Sequence, residues 1–216
     1  MKIKKNTSNR GETSATIDLF EGRKLPEGVK DRIRDEVGTF LVEESLVALS
    51  ESKSPLIGES IPALKKGNYR KKKMDELGTN RADIQFSGET LDEFTFTPTK
   101  DGIKIGVFGD RAVVADGHNN LSGKSSLPRR RWIPDSEQNY KTAIQKEVNS
   151  IIATAISEEI GFKKSEFKGV TTAKELTDVL KSKLGSMTKG ELSLVVYRDE
   201  DLLDLLTDLD LIKLLP

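Results

Sequence analysis

From Leu25 to Leu49 the apolar residues recur at helical spacing. Val29, Ile33, Val37, Phe40 and Leu41 fall on a 3.6-residue period with Glu44, and Asp31, Arg32, Arg34, Asp35 and Glu36 take the other faces. The pattern predicts a long amphipathic helix that continues through Val47 and Leu49 and stops near Ser50–Pro55. A second pattern has period two. Phe94-Thr95-Phe96-Thr97 alternates, Asp101-Gly102 supplies turn chemistry, and Ile103 to Phe108 alternates again, which predicts a hairpin. Gly109-Asp110 then leads into Ala112-Val113-Val114-Ala115, read as the third strand of an antiparallel meander. Pro98 puts the end of its strand at an edge or bulge.

Further on, Asp135 and Ser136 offer helix caps. Tyr140, Ala143, Ile144, Val148, Ile151, Ile152, Ala155 and Ile156 predict a second long helix closed by Gly161. The remainder reads as a helix over Thr172–Leu184, a strand over Leu192–Tyr197 and an acidic, leucine-rich tail over Asp199–Pro216. The expected fold is therefore α+β, an antiparallel sheet flanked by two long helices with a C-terminal α/β extension. The expected divisions are a flexible N-terminal arm over 1–24, an α+β domain over 25–160 and the extension over 161–216. Residues 51–82 would be a long basic linker, and no repeat of fixed period appears.

Composition narrows this picture. Hydrophobic residues make up 35% of the chain and charged residues 32%, so the core is modest and some segments should be ordered by neighbours. Lys+Arg and Asp+Glu balance at 35 each, which gives no whole-chain signal for nucleic acid. The charge is instead unevenly placed. Between residues 61 and 81, Lys65, Lys66, Arg70, Lys71, Lys72, Lys73 and Arg81 face only Asp75 and Glu76. The tail carries Asp199, Glu200, Asp201, Asp204, Asp208 and Asp210 before its first cation, Lys213. Leu202, Leu206, Leu209 and Ile212 punctuate those acids at helical spacing and are candidates for docking, on this chain or on a neighbouring subunit. With no cysteine, thiol catalysis, disulfides and thiolate metal sites are excluded. No apolar run is long enough to span a membrane, and the basic start Met1–Thr7 lacks the apolar stretch of a signal peptide.

Candidate chemistry gathers between Ala112 and Pro134. Gly123-Lys124-Ser125 resembles the end of a phosphate-binding loop, but five residues separate Gly117 from Gly123 where that motif has four. Pro128 and Pro134 also block the helix that should follow at once. His118, the sole histidine, lies near Asp116, Ser122, Ser125 and Ser126, all crowded into one loop rather than set on a scaffold as a hydrolytic triad requires. One histidine among scattered carboxylates has no metal-ligand spacing. No catalytic residue, cofactor or metal is expected. Arg129, Arg130 and Arg131 could meet DNA phosphates or pair with carboxylates of this chain or a neighbour. Pairing is favoured, because three consecutive side chains cannot all face one way. Lys71, Lys72 and Lys73 have the same two readings, and no interleaved aromatics suggest single-strand binding.

The order of elements carries a resemblance. Ser54-Pro55-Leu56, Ile61-Pro62-Ala63-Leu64 and Lys71-Lys72-Lys73 follow the first helix. Ile103-Lys104-Ile105-Gly106, Ala115 to His118 and Leu127-Pro128-Arg129-Arg130-Arg131-Trp132-Ile133 come later. Over residues 25–157 this is similar to the virion-morphogenesis or tail-completion proteins at the neck of long-tailed bacteriophages, with Trp132 as the elbow aromatic. Val114 stands where an aromatic often precedes the loop alanine, the loop Asp116–Leu127 is long, and residues beyond about 160 have no counterpart. The resemblance implies a non-enzymatic virion protein that completes the tail end, as a ring, so that the tail joins the DNA-filled head. Its implied partners are copies of itself, tail terminator or tail-tube proteins and head–tail connector proteins, with non-specific contact to DNA in the lumen. The implied location is the virion neck, reached from the host cytoplasm during assembly. Lys71, Lys72, Lys73, Arg129, Arg130, Arg131 and Trp132 become interface or DNA-facing candidates. A nucleic-acid-binding accessory protein using 65–73 and 129–131 is the alternative, and a nucleotide hydrolase using Gly123-Lys124-Ser125 the second.

Overall fold

Thr13, Ala15 and Ile17 alternate with Glu12, Ser14 and Thr16, and that period of two places them on opposite faces of a strand. In the computed structural model this segment is β2 (Glu12–Asp18), paired on one side with β1 (Lys2–Asn9). The elements that follow are α1 (Glu27–Ser50), α2 (Asn68–Leu77), the single turn α3 (Glu89–Asp92), β3 (Phe94–Thr99), β4 (Gly102–Phe108) and α4 (Ala112–Asn119). Helices α5 (Thr142–Ile160), α6 (Ala173–Leu184), α7 (Lys189–Arg198) and α8 (Glu200–Asp208) complete the chain. The structure describes all residues except 24, 65, 80–88, 125–127, 137, 186 and 216, and the backbone alone at 69, 160 and 164. The chain is α+β, with one four-stranded antiparallel sheet in the order β1-β2-β4-β3.

Two units divide the chain, residues 1–24 with 34–145, and residues 25–33 with 146–216. In the first, the register sets Thr13, Ala15 and Ile17 beside Val107, Ile105 and Ile103, and these beside Phe94, Phe96 and Pro98. That face is the core, with Ala15, Ile17, Ile103, Ile105 and Val107 all fully buried. The opposite face is polar, where Lys104 Nζ lies 3.1 Å from Glu12 Oε1. The later part of α1 belongs to this unit. Its Gly38 lets the Phe96 ring come so close that a Cβ would sit 2.4 Å from it, and Arg34 donates to the Lys100 carbonyl at 3.0 Å. In α1 as a whole the buried stripe runs every fourth residue, Val29, Ile33, Val37, Leu41, Ser45 and Leu49. Val47, expected to join it, is 55% exposed, because it lies half a turn away from that stripe.

In the second unit the helices are held by their caps and by leucines. Thr172 and Thr188 each open a helix with a reciprocal Thr/Glu capping box, to Glu175 and Glu191. Asp199 caps α8 by accepting from Leu202 N at 3.0 Å, and its other oxygen accepts from the Ser157 hydroxyl. Leu176, Leu180, Leu192, Val195, Val196, Leu202 and Leu206 form the packed face. Leu202 and Leu206 are buried, while Leu209 and Ile212 are half-buried. No described helix is long and apolar enough to cross a membrane.

Several expectations are corrected. Residues 1–24 hold the β1–β2 hairpin rather than a flexible arm, a hairpin hidden by its low hydrophobicity. Ala112–Asn119 is helix and not a third strand. Its buried residues Ala112, Ala115 and Asn119 fall at helical spacing, and Val113 and Val114 are both exposed, which no strand facing a core permits. Leu192–Tyr197 is helical in α7, where the Thr188 cap and burial at 191, 192, 195 and 196 override β-branched propensity. The described C-terminal extension is therefore helical, not α/β. Its unit begins at Lys146 and takes in 25–33, so the boundary is not 161. The second long helix starts at Thr142, and Tyr140 instead forms an antiparallel bridge with Leu56. The 51–82 connection contains α2, and its last residues, with Arg81, lie outside the described ones.

Candidate functional site: the α4 loop and the arginine elbow

Helix α4 ends on Asn119 and Asn120, with Asn120 in the left-handed conformation (φ 54°) that asparagine tolerates better than most residues. This exit turns the chain back on itself and leaves Asn119 fully buried under the elbow. The Asn119 carbonyl Oδ1 accepts from both Trp132 N and Ile133 N at 2.9 Å, and its amide donates to the Ala115 carbonyl at 2.9 Å. The Asn119 main-chain carbonyl accepts from Arg131 Nε at 2.9 Å. One step back, the His118 carbonyl accepts from Arg130 N at 3.0 Å. Asn119 therefore ties the loop to the elbow through its side-chain and main-chain carbonyls, while its amide anchors it to α4. In the sequence Asn119 carries one faint signal, an Asn-Asn pair of the kind at which a helix can end.

The elbow is tied equally to the segment after α1. Ser54 donates to the Arg131 carbonyl at 2.5 Å, and an antiparallel bridge between Leu56 and Tyr140 joins the two segments. Arg131 Nη1 donates to Asp135 at 2.5 Å and to Gln138 at 2.8 Å, with Glu59 4.0 Å away. Asn6 of β1 donates to the Pro134 carbonyl at 2.7 Å. Segments about 55, 118 and 131 thus meet in a single node of the first unit, with Leu56, Trp132, Ile133 and Tyr140 fully buried inside it.

This geometry sorts the candidates. Trp132 is a core anchor. Arg130 and Arg131 are 8% and 5% exposed, so they face neither DNA nor another subunit, while Arg129 is exposed. The physical reason is the elbow's direction, which drives two of three consecutive guanidinium groups inward to satisfy carbonyls and carboxylates. Lys73 is likewise buried, at 1%, which removes it from the interface set. Lys71 and Lys72 are exposed on α2, with Lys72 3.7 Å from Glu76. Lys65, Ser125 and Ser126 lie outside the described residues.

The loop chemistry is equally specific. Asp116 accepts from the Ser122 backbone N–H at 3.0 Å and from its hydroxyl at 2.5 Å. Burial pushes its carboxyl up, but these hydrogen bonds outweigh burial and hold it below the usual aspartate value. Asp116 thus closes the loop and does not orient His118. His118 Nδ1 lies 3.4 Å from Arg130 Nη1, and its ring is 6.4 Å from that of Trp132. Burial first, and the Arg130 charge second, push His118 down to about 4. Lys124 is exposed, and the segment before its loop is the helix α4, so the strand that feeds a phosphate-binding loop is replaced. Among the described residues no three His, Cys, Asp or Glu side chains are placed to hold a metal ion.

The His118 environment has a pH consequence. Its folded pKa lies below the unfolded value of 6.5, so the unfolded chain takes up a proton first as pH falls. Stability should drop between about pH 6.5 and pH 4, by on the order of 2 kcal/mol, and this contribution should level off below that. Denaturant melts of the parent and of His118→Gln across this range test it. The parent should lose stability that the variant keeps, and parallel curves would sink the assignment. No protein-family model, curated protein or solved structure matches this chain.

Proposed function

We propose that the chain is a structural protein of a bacteriophage neck, one that completes the tail end as a ring and allows it to join the DNA-filled head. The observation that supports this reading most is the convergence of three distant segments. Ser54–Leu56, the His118–Asn119 loop end and Arg130–Ile133 all contribute to the family resemblance, and they pack into one node. Residues that bond to each other and to the core suit a scaffold whose product is shape. Copies of the chain, tail-tube or terminator proteins and head–tail connector proteins are the proposed partners, with DNA passing through the lumen. Burial of Arg130 and Arg131 weighs against nucleic-acid binding through the elbow, and the helical lead into Gly123-Lys124 weighs against nucleotide hydrolysis.

The test is to remove the gene from the phage that encodes it and examine lysates by electron microscopy. Full heads and tails of normal length should accumulate separately, and added purified protein should join them. Infectious, joined particles formed without the protein would overturn the reading.

A further inference from the structure

We propose that the exposed basic face of α2 docks on the acidic face of α8 of a second copy of the same chain, giving a head-to-tail contact. The proposal deepens the ring reading above and rests on it for closure alone. Among the described side chains of helix α2 the buried one is Lys73, whereas Met74 and Leu77 are 52% and 47% exposed. Lys66, Arg70, Lys71 and Met74 line one shallow depression, and among the described residues Asp75 is the one carboxylate that lines it with them. Lys66, Arg70 and Lys71 form no ion pair among the described residues.

The complementary surface lies in the other unit. Leu202 and Leu206 of α8 are buried, which turns Glu200, Asp201, Asp204 and Asp208 outward on the far side of the helix. None of these four has a cation at ion-pair distance among the described residues, although Asp210 just beyond them pairs with Lys213. Positions 200, 204 and 208 are one turn apart along α8, and on the other surface Arg70 and Lys71 lie in the first turn of α2 with Lys66 just ahead of it, so a row of acids faces a cluster of cations. Two different surfaces on one chain that fit each other generate a heterologous contact, which closes into a ring when the rotation allows. Each exposed pair contributes little and is screened by salt, so the contact should be weak at low concentration and strengthen as ionic strength falls.

The test uses the full-length chain. Unlabelled and nitrogen-15-labelled protein are mixed at low salt and treated with a zero-length carbodiimide cross-linker. Lys66 or Lys71 should join Asp204 or Asp208 in peptide pairs carrying one label from each copy. Pairs drawn from a single copy only, or none at all, overturn the proposal. A second arm reverses charge at positions outside the core, all exposed except the half-buried Arg70. Lys66→Glu/Arg70→Glu/Lys71→Glu and Asp201→Lys/Asp204→Lys/Asp208→Lys should each lose association by at least about tenfold in sedimentation. A one-to-one mixture of the two variants should recover it, because each then meets an opposite face. A mixture that stays monomeric, or a charge-reversed α2 that loses only DNA binding, overturns the contact. Head–tail joining is scored separately. Failure of association beside a joining defect in the gene deletion refutes this surface and leaves the neck reading standing.

Discussion

Replacing Trp132 with alanine should lower the unfolding free energy by about 3–5 kcal/mol, the usual cost of emptying a fully buried aromatic site. The site cannot collapse easily. Its main chain is pinned by Asn119 Oδ1, and Ile133, Leu56 and Tyr140 around it are themselves fully buried. Trp132→Phe should cost much less, because the indole N–H has no hydrogen-bond partner among the described residues and most of the apolar contact remains. Guanidinium melts followed by circular dichroism measure both, and they avoid dependence on the sole tryptophan as a probe. Equal stability for Trp132→Ala and the parent would mean that the elbow does not anchor the fold.

Arg131→Ala should be comparably severe, at about 3–5 kcal/mol, for an electrostatic reason. Its side chain is 6% exposed, and its removal leaves the Asp135 and Glu59 carboxylates, 14% and 11% exposed, without their shared cation. It also leaves the Asn119 carbonyl without the Arg131 Nε donor. Arg129→Ala, in the same triplet but exposed, should change stability by no more than about 0.5 kcal/mol. The contrast separates two roles that the run of three arginines leaves merged. If Arg129→Ala destabilises as much as Arg131→Ala, the inward direction assigned to Arg131 is wrong. If both leave stability intact and weaken DNA binding equally, the elbow is a phosphate contact instead.

How much of this was legible before the structure depends on whether a segment's own pattern matches its final burial. Helix α1 and the β3–β4 hairpin could be read directly. Their apolar periods, 3.6 and 2, are the periods of the faces they bury, and Asp101-Gly102 carries the turn between the strands. The Thr172 helix and the burial of Leu202 and Leu206 were readable on the same grounds. The β1–β2 hairpin was not, because Lys, Thr, Ser and Asn dominate it. Its central strand is set by neighbours on both sides, and a strand with partners on two edges can be polar in composition. Helices α4 and α7 were misread as strands because Val113-Val114 and Val195-Val196 favour strands locally. In each helix, capping and the i, i+3, i+4 spacing of buried positions prevail over that preference.

The site divides in the same way. His118 and Arg129–Arg131 were singled out by residue type and Ser54–Leu56 and Trp132–Ile133 by the resemblance, and only the tertiary structure puts Trp132 in the core rather than at an interface. What no one-dimensional pattern contains is direction. Arg129, Arg130 and Arg131 are chemically identical, and only the path of the elbow over Asn119 makes one a surface charge and two buried hydrogen-bond donors. Lys73 is buried and Lys71 exposed for the same kind of reason. Local sequence determines which backbone conformations are cheap and which faces are apolar. The tertiary structure decides which polar groups find partners far along the chain, because a buried charge or amide is tolerated only where those partners already wait.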